Sequence, residues 1–451
     1  MTADRRLRDA LPEGRVIDDP AVLAAYTTDW TGRFRGAPTA LVRPGDADEV
    51  ATVIGWARRH RRALVPVGGH TGLVGATAAP PGAVLVSTSR LDAITDVDAD
   101  AGQLTAGAGA TVAAVQRTAA DCGWRYGVDF AARDSATVGG TIATDAGGVR
   151  VLRYGSTRAQ VIGVEAVLGT GVTMARLSGL VKDNTGFDLA GLLCGSEGTL
   201  GIVTRARLRL VPPAGDPVTA LVAVDGYRAA VSLAGHLRRS VRGLEALEVM
   251  GAAGVELVAA HLGHGAPVTV SPVVVLVEAE GPEAFDALGA AVGDAEGVRD
   301  VAVATDGPGR AHLWSFREAH TEAIAMRGPV DKFDVTLPMP ALADFADRIG
   351  DRVGAEVGGS AVWVFGHLGD GNLHVNVTGA RDEDRDTVAA VVLSAALAHG
   401  GAISAEHGIG RSKVTWLPRD RGPGDVATMR AIKGSLDPDG ILNPGVLFPP
   451  G

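Results

Sequence analysis

Two histidines and an asparagine lie in a segment whose pattern predicts a β-hairpin. In residues 362–377, two apolar stretches flank Gly-Asp-Gly-Asn at 369–372, which is typical of a hairpin loop. This loop would place His367 directly opposite His374, and opposed residues share one face with Cβ atoms about 5 Å apart. Asn376 shares that face because side chains alternate along a strand. Two converging imidazoles predict a divalent metal site, since neutral imidazole is a good ligand for zinc and similar ions.

A loop near the C-terminus carries the residues that the histidine pair lacks. Glu406 and His407 follow the glycine pair at 400–401 and stand in the sequence Ser-Ala-Glu-His-Gly-Ile-Gly. Two histidines and one carboxylate form a ligand set that leaves coordination positions open for a substrate. His407 is then the predicted general base, because the pKa of an imidazole lies near neutral pH. The alternative is that the hairpin histidines hydrogen-bond each other or core carbonyl groups.

Basic residues in the second half of the chain could hold a carboxylate. The segment 314–321 is predicted to be a helix, in which Arg317 and Thr321 share a face because they are four residues apart. Lys332 lies next to apolar residues at the start of a predicted strand. A guanidinium binds a carboxylate through two parallel hydrogen bonds, whereas a lysine acts as a point charge. From the local pattern alone, the alternative is that both cations lie on solvated faces.

Glycine is abundant, with 62 of 451 residues, and it is concentrated in segments of the first half. The loop 68–75 follows a predicted strand but matches neither G-x-G-x-x-G nor the P-loop pattern, so a Rossmann site and a P-loop both lack support. Its backbone N–H groups could still form an anion-binding nest. The segments 135–144 and 195–204 also combine glycines with small hydroxyl residues. Together the three segments indicate an extended ligand such as a dinucleotide cofactor, and the alternative for the first is a tight turn.

The elements that would position these residues change character near the middle of the chain. Strands alternate with helices in the first half, which indicates an α/β unit. The second half has an α+β pattern, with an antiparallel sheet and helices expected on one face. The Pro-Pro-Ala-Gly segment at 212–215 predicts a domain boundary between the halves. Predicted strands are 40–42, 64–67, 83–87, 103–106, 161–168, 206–211, 218–224, 273–278, 330–337 and 362–365, and predicted helices include one that follows Asp46, 112–122, 341–352 and 384–399.

Composition and charge restrict the partners of the chain. The formal net charge of −10 argues against a nucleic acid or an anionic membrane as partner. Cys122 and Cys194 are too few for a disulfide framework or a four-cysteine zinc site, and both are expected to be buried thiols. The N-terminus lacks the apolar region of a signal peptide, and no apolar run reaches the roughly 18 residues of a membrane span. A cytoplasmic location is therefore expected.

The glycine segments and two further motifs resemble a known family. The motifs are Lys-Asp-Asn-Thr-Gly-Phe-Asp-Leu at 182–189 and Leu-Asp-Pro-Asp-Gly-Ile-Leu-Asn-Pro-Gly at 436–445. They are similar to the vanillyl-alcohol-oxidase-type flavoproteins, whose FAD-binding domain is called PCMH-type. Within these, the chain resembles the D-2-hydroxyacid dehydrogenase branch, from about Tyr26 to Phe448.

The resemblance implies an α+β fold in three parts. It implies a PCMH-type FAD-binding domain of two α/β subdomains over 1–213, and a substrate (cap) domain with an antiparallel sheet and helices over 214–405. The segment 406–451 is expected to return to the FAD site. The implied activity is FAD-dependent oxidation of a D-2-hydroxy acid, such as lactate, glycolate or 2-hydroxyglutarate, to the 2-oxo acid, with hydride transfer to the flavin.

The resemblance also assigns residues to the cofactor. By this analogy, 68–75 cradles the pyrophosphate, 135–144 lies along the flavin and the ribityl chain, and 197–203 lies near the adenosine. The implied cofactor contacts are Gly68, Gly69, His70, Thr71, Gly72, Leu73, Ser135, Thr137, Gly139, Gly140, Thr141, Ala143, Thr144, Glu197, Gly198, Gly201, Ile202, Val203 and Asn443.

For the substrate site, the resemblance implies the same ligand set and base as the local patterns. His367, His374 and Glu406 match the metal ligands of the branch, for which zinc or manganese is expected, and the residue matching His407 takes the hydroxyl proton. Glu248 also matches a family position, and its role stays open. The implied substrate contacts are Arg317, Thr321, Lys332 and Asn376.

Two positions depart from the family pattern. His70 stands where members usually carry Asn or Gly, and Val446 stands where a lysine usually follows Asn-Pro-Gly. Related berberine-bridge-type oxidases bond a histidine of a similar Gly-Gly-His loop covalently to the flavin, so a covalent link at His70 is one alternative. The other is a histidine that hydrogen-bonds near the pyrophosphate or faces solvent.

Several hypotheses about the function stay open at this point. Rival functions are a covalent-flavin oxidase of an alcohol or sugar, a transferase like the alkylglycerone-phosphate synthases, and a non-catalytic flavoprotein. Electron transfer flavoprotein, a quinone and oxygen are the alternatives for the electron acceptor. The oligomeric state is also open, with a homodimer among the alternatives.

Overall fold

The protein, seen in a computed structural model that describes residues 7–269 and 271–449, forms two compact units. The first unit comprises the chain up to Gly147, residues 154–213 and the chain from Glu406 onward. The second comprises residues 148–153 and 214–405. The sequence patterns did not predict that the short stretch 148–153 belongs to the second unit.

The strands of the first unit form two sheets. They are β1 (Val16–Ile17), β2 (Ala40–Val42), β3 (Leu64–Val67), β4 (Val84–Ser87), β5 (Ile94–Asp98), β6 (Gln103–Gly107), β7 (Val161–Leu168), β8 (Thr173–Ala175) and β9 (Gly201–Arg209). The four-stranded sheet has the order β1–β2–β4–β3, with β4 parallel to both β2 and β3. The five-stranded sheet is antiparallel and has the order β5–β6–β9–β7–β8.

The second unit is built on one large antiparallel sheet. Its strands are β10 (Pro217–Val224), β11 (Leu244–Gly251), β12 (Val273–Glu280), β13 (Val298–Ala304), β14 (Val330–Thr336), β15 (Ala361–His367) and β16 (Asn372–Thr378). Their order is β13–β10–β12–β11–β15–β16–β14. Consecutive residues along β12 are all buried, so the sheet is covered on both faces. The expectation of helices on a single face is therefore wrong.

Helices connect the strands in both units. They are α1 (Pro20–Ala24), α2 (Ala47–His60), α3 (Val112–Asp121), α4 (Val138–Thr144), α5 (Val151–Tyr154), α6 (Thr157–Gln160), α7 (Leu189–Leu193), α8 (Tyr227–Ser240), α9 (Ala252–Leu262), α10 (Ala284–Gly293), α11 (Gly307–Glu318), α12 (His320–Ala325), α13 (Met339–Glu356), α14 (Arg385–Ala398) and α15 (Leu417–Leu436). A 3₁₀ turn covers Asp382–Asp384, and α15 is interrupted at Gly422, where φ is 76°. Within residues 7–269 and 271–449, no helix is long and apolar enough to cross a membrane.

Helix α2 shows how local sequence fixes an element of the first unit. The Asp46 carboxylate accepts a hydrogen bond of 2.8 Å from the Glu49 N–H, a cap that contributes about 1 kcal/mol. The helix ends at Arg61, which has a left-handed backbone with φ 48°. The predicted apolar stripe is confirmed, because its residues are all buried: Val50, Val53, Ile54 and Ala57.

Residues 138–144, for which the sequence predicts no element, form helix α4, and the Thr137 side chain caps its N-terminus. Two local expectations of the first unit are wrong. Strand β9 begins at Gly201 rather than at Ala206, so the end of the third glycine segment lies inside a sheet. Cys122 is exposed rather than buried, because helix α3 ends just before it, whereas Cys194 is buried as expected.

Candidate functional site

The second unit carries several polar side chains on one face of its sheet, called here the polar face. Residues directly opposed across antiparallel strands share a face, and the register therefore places all of these side chains on the same side. Charged groups are rarely buried in a sheet unless they are paired or functional. The polar face carries, across β11, β15, β16 and β14, the side chains of Glu248, His367, His374, Asn376, Asp334 and Lys332.

The two histidines converge, although not in the predicted register. The hairpin loop covers 368–371, one residue earlier than predicted, so His367 lies opposite Asn372 and His374 lies opposite Phe365. The two histidines are diagonal neighbours, and their ring centroids are 5.2 Å apart. The predicted convergence is confirmed, whereas the predicted direct pairing is wrong. Both histidines still lie on the same face of the hairpin, because the loop keeps its length of four residues and is only shifted by one residue along the chain.

Glu248 connects two other functional candidates, His367 and Arg317. Its side chain is fully buried, with 0% exposure. One carboxylate oxygen accepts a hydrogen bond of 2.7 Å from His367 Nδ1, and the other accepts one of 2.6 Å from Arg317 Nε. The sequence left its role open, although a glutamate inside the apolar stretch Leu-Glu-Val-Met was a usable signal of a buried functional carboxylate.

Arg317 and Thr321 do not share an environment, so the predicted pairing is wrong. Helix α11 ends at Glu318 and α12 begins at His320, which interrupts the single helix that the sequence predicts. Arg317 is buried, and its guanidinium lies 4.7 Å from the ring centroid of Phe365 on the polar face. Thr321 is exposed. Only Arg317 of this pair therefore reaches the polar face.

Asp334 is a second buried carboxylate, and the sequence analysis missed it. It is fully buried and accepts hydrogen bonds from Asn372 Nδ2 at 2.7 Å and from the Ala405 N–H at 3.0 Å. One of its oxygens lies 3.8 Å from His374 Nδ1. The signal was available, because Asp334 stands two residues after Lys332 in the same strand and so shares its face.

Lys332 and Asn376 lie directly opposite each other at the far end of the polar face. Burial lowers the pKa of Lys332, because the apolar surroundings disfavour the charged ammonium group. Asn376 is 5% exposed, and its Nδ2 finds no hydrogen-bond partner among the described residues. A buried amide without an acceptor costs free energy, so this end of the face fits a ligand that brings an acceptor oxygen.

In the first unit, Gly68 and Gly69 have a structural reason to be glycine. A Cβ on Gly69 would lie 1.9 Å from the Ser135 carbonyl oxygen, and one on Gly68 would lie 2.3 Å from Thr137 Oγ1. The loop 68–75 therefore packs its backbone against the segment that leads into helix α4. A Cβ on Gly72 would meet no atom within 4 Å. Of these three glycines, only Gly72 faces open space, where a ligand could approach the backbone.

His70 has an unusual backbone conformation, and one of its two ring nitrogens has a hydrogen-bond partner among the described residues. Its φ is 56°, which a residue with a side chain seldom adopts. Nε2 donates a hydrogen bond of 3.0 Å to the Thr28 carbonyl oxygen, and the ring packs against Tyr26 with centroids 5.6 Å apart. Nδ1 is buried and has no partner among the described residues. This atom is available to a ligand of the glycine loop.

Glu197 positions the loop that follows His407. Its two carboxylate oxygens accept hydrogen bonds of 2.8 Å from the backbone N–H groups of Ile409 and Gly410. Burial raises the pKa of Glu197 to about 7, and the two backbone N–H groups act in the opposite direction. The sequence assigned Glu197 to the adenosine, but both of its oxygens are engaged within the protein.

Other residues assigned to the cofactor also have structural roles. Gly201, Ile202 and Val203 lie in β9 and pair with β7. Asn443 donates a hydrogen bond of 2.9 Å from Nδ2 to the Glu197 carbonyl oxygen. Its Oδ1 is buried and has no partner among the described residues, so it can accept from a ligand.

Glu406 and His407 are half-buried neighbours at the start of the same C-terminal part of the chain. His407 Nε2 lies 3.7 Å from Glu406 Oε1. Glu406 is joined by one peptide bond to Ala405, whose N–H binds Asp334 in the second unit.

Comparisons with known sequences match both halves of the chain. The FAD binding domain matches residues 38–175, and the C-terminal domain of FAD linked oxidases matches residues 216–447. The D-2-hydroxyglutarate dehydrogenase of Xanthomonas citri pv. viticola is 39% identical over 98% of this chain and 96% of that protein. The mitochondrial D-2-hydroxyglutarate dehydrogenase of Bos taurus is 37% identical over 97% of this chain and 81% of that protein.

Solved structures of low sequence identity share the fold. p-Cresol methylhydroxylase superposes with a TM-score of 0.79 at 15% identity, covering 99% of this chain and 96% of that one. Alkyldihydroxyacetonephosphate synthase superposes with a TM-score of 0.75 at 17% identity, covering 98% of this chain and 84% of that one. These similarities confirm the predicted α+β fold with a PCMH-type FAD-binding domain, and they carry no information about the reaction.

Proposed function

The chain belongs to the FAD-linked oxidases, in their D-2-hydroxyacid dehydrogenase branch, and from this premise we propose that it oxidises a D-2-hydroxy acid to the 2-oxo acid with FAD as cofactor. The observation that carries the proposal is the 39% identity to a D-2-hydroxyglutarate dehydrogenase over 98% of this chain. D-2-Hydroxyglutarate is therefore the first substrate to test, with D-lactate and glycolate as the alternatives.

The first unit would hold FAD through polar atoms that find no partner among residues 7–269 and 271–449. These buried atoms are Asn443 Oδ1 and His70 Nδ1, and Gly72 has open space at the position that a Cβ would take. These features fit a polar cofactor that lies against the chain. A bound FAD would supply the hydride acceptor, and the protein would supply binding and orientation.

The second unit would hold the substrate carboxylate at the far end of the polar face. Lys332 supplies a positive charge, and Asn376 Nδ2 supplies a donor that needs an acceptor. Arg317 adds a second positive charge near Phe365, although Glu248 already accepts from its Nε. Thr321 is not included, because its side chain is exposed.

A divalent metal, zinc or manganese, would be held by His367, His374 and Glu406. Among the described residues, the side chains grouped closely enough to hold such an ion are Asp334, His374, Glu406 and His407, whereas His367 enters the ligand set through the family resemblance. Asp334 already lies beside His374, so it competes with Glu406 for the carboxylate position. When bound, the metal acidifies the substrate hydroxyl group.

His407 would remove the hydroxyl proton as the substrate becomes a ketone. The oxidation would pass the Cα hydride to FAD as the two-electron oxidant and the hydroxyl proton to the His407 imidazole, so that both hydrogens and the electron pair are accounted for. His407→Asn should keep the bound yellow flavin and lower the rate of flavin reduction by roughly 10²–10⁴-fold. Full activity of this variant would remove His407 from the mechanism.

Anaerobic mixing of the holoenzyme with D- and L-2-hydroxy acids tests the proposed reaction. We expect a D-acid to bleach the flavin and its L-enantiomer to leave it oxidised. A parallel series with a chelator, followed by added zinc or manganese, tests the metal. Reoxidation by a dye, electron transfer flavoprotein, a quinone and oxygen then compares the acceptors. A flavin that no 2-hydroxy acid reduces would overturn the proposal.

A covalent-flavin oxidase is the second candidate, and the unpartnered Nδ1 of His70 favours it. Precipitation of the holoenzyme with acid separates the two candidates. Yellow colour in the supernatant would show that the flavin is not bonded to the protein, as the dehydrogenase proposal expects. A yellow pellet from the wild type, and a colourless pellet from His70→Asn, would instead establish the covalent link.

A further inference from the structure

We propose that Glu248 is a positioning residue that fixes the tautomer of His367. Its carboxylate holds the imidazole proton on Nδ1 and thereby leaves Nε2 as the atom that can bind a metal. This inference rests on the proposed function for the identity of the ligand at Nε2. The tautomer itself is a property of the protein that can be measured without any metal.

The hydrogen bond between the two side chains has a defined direction. The 2.7 Å contact joins His367 Nδ1 to a Glu248 oxygen, and an ionised carboxylate can only accept. Nδ1 must therefore carry the proton, and in a neutral imidazole Nε2 is then the nitrogen that bears the lone pair. A histidine that ligates through one nitrogen commonly donates its other N–H to a carboxylate, which orients the ring.

The sheet holds both partners in place. Glu248 and His367 are directly opposed across β11 and β15, and neighbouring pairs in the same ladder oppose Val249 to Gly366 and Met250 to Phe365. A Cβ on Gly366 would lie 2.3 Å from the Asn372 carbonyl oxygen, so the hairpin is tightly closed beside His367. Glu248 is 0% exposed and His367 is 6% exposed. Little freedom is left for either side chain to choose another partner.

Because of Arg317, a glutamine at position 248 could not replace the glutamate. Its Nε donates to the second Glu248 oxygen over 2.6 Å, and a guanidinium has donors only. An amide in place of the carboxylate has one acceptor oxygen, which the charged Arg317 would take. Its NH₂ group would then face His367 Nδ1, which could bind it only as an acceptor. Glu248→Gln should therefore move the imidazole proton to Nε2 and block the atom that the metal needs.

Nitrogen NMR of ¹⁵N-histidine-labelled, FAD-loaded and chelator-treated protein tests the tautomer directly. His367→Asn identifies the His367 signals by their loss. We expect the Nδ1–H tautomer in the wild type and the Nε2–H tautomer in Glu248→Gln. Glu278→Gln is the matched control, because Glu278 is also a buried glutamate of this sheet but binds Arg150, Thr219 and Trp314 instead. An unchanged His367 tautomer in Glu248→Gln, or an Nε2–H tautomer in the wild type, would overturn the inference.

Competition with a chelator measures the consequence for zinc binding. Glu248→Gln should weaken zinc binding about 10–100-fold, the usual effect of removing such a partner, while its flavin content and that of the control stay at the wild-type level. Equal zinc affinity of Glu248→Gln and the wild type would also contradict the inference. If the wild type itself binds no zinc or manganese, the metal part of the proposed function fails, and the NMR result still decides the role of Glu248.

Discussion

At the scale of single residues, burial shifts the pKa of a titratable side chain away from its ordinary value. His320 begins helix α12, has 0% exposure, and lies with its ring 4.8 Å from that of Phe365. Burial, helped by the positive charge of Arg317, lowers the pKa of His320 from 6.5 to about 3. The folded protein therefore keeps this imidazole neutral at pH values where the unfolded chain protonates it. Acid should consequently destabilise the fold through this one residue.

The expected pH dependence of stability follows from the direction of this shift. Below pH 6.5 the unfolded chain binds a proton that the folded protein does not, so the free energy of unfolding falls by about 1.4 kcal/mol per pH unit. Between about pH 7 and pH 5, the wild type should lose roughly 2 kcal/mol more than His320→Leu, measured by urea unfolding. His264→Gln, at an exposed position, should behave like the wild type. An equal loss in the wild type and His320→Leu would show that His320 does not titrate in this way.

At the scale of elements, the sequence predicted the hairpin and its polar side but not its register. Alternation determined which side chains share a face, and that result is insensitive to a loop that moves by one residue. The position of the loop depends on tertiary contacts instead. Gly371 has φ 80° and approaches the Leu337 carbonyl oxygen, where a Cβ would lie 2.4 Å away. No pattern within the hairpin itself reports that contact.

The loop after His407 depends on a single carboxylate, and this gives a prediction at the same scale. Glu197 accepts from the N–H groups of Ile409 and Gly410, and a glutamine could accept only one of them. Above pH 7, where Glu197 is ionised, a hydrogen bond to its charged carboxylate contributes about 1.5–3 kcal/mol, so Glu197→Gln should loosen the loop. We expect flavin reduction to slow by roughly tenfold, measured by stopped flow with the flavin still bound.

The control for this loop is another carboxylate of the same unit. Glu165 binds Arg205 and Thr204 on the five-stranded sheet, and Glu165→Gln should leave the rate of flavin reduction unchanged. Limited proteolysis gives a second measurement, since a loosened loop should be cleaved after Arg411 faster in Glu197→Gln. Wild-type rates of reduction and of cleavage in that variant would show that Glu197 does not hold the loop.

At the scale of the whole molecule, the contacts that complete the site join distant parts of the chain. Glu248 and His367 are 119 residues apart, and Asp334 and Ala405 are 71 residues apart. Sequence patterns identified His367, His374 and Glu406 as candidates, because each of them lies in a distinctive motif. They could mark Glu248 and Asp334 as carboxylates in apolar strands but not name the side chains that these carboxylates contact, because pairing between distant strands is set by the assembled sheet. The residue roles taken from the family resemblance remain predictions for the experiments above.

The stretch 148–153 provides a prediction about the second unit as a whole. Arg150 lies in this stretch and forms ion pairs of 2.9 Å with Glu245 and 3.3 Å with Glu278, two glutamates that are 0% and 3% exposed. Removing this cation leaves Glu245 with the longer ion pair of 3.6 Å to Arg153 and takes the ion pair away from Glu278, and breaking such a buried pair costs about 3–5 kcal/mol. Arg150→Ala should lower the free energy of unfolding of the second unit by that amount in urea.

The control is an exposed ion pair of the same unit: Arg348→Ala, which removes a pair with Asp344, should cost less than about 1 kcal/mol. Equal effects of the two substitutions would mean that the glutamate cluster does not depend on Arg150, and that this stretch belongs to the second unit by packing alone.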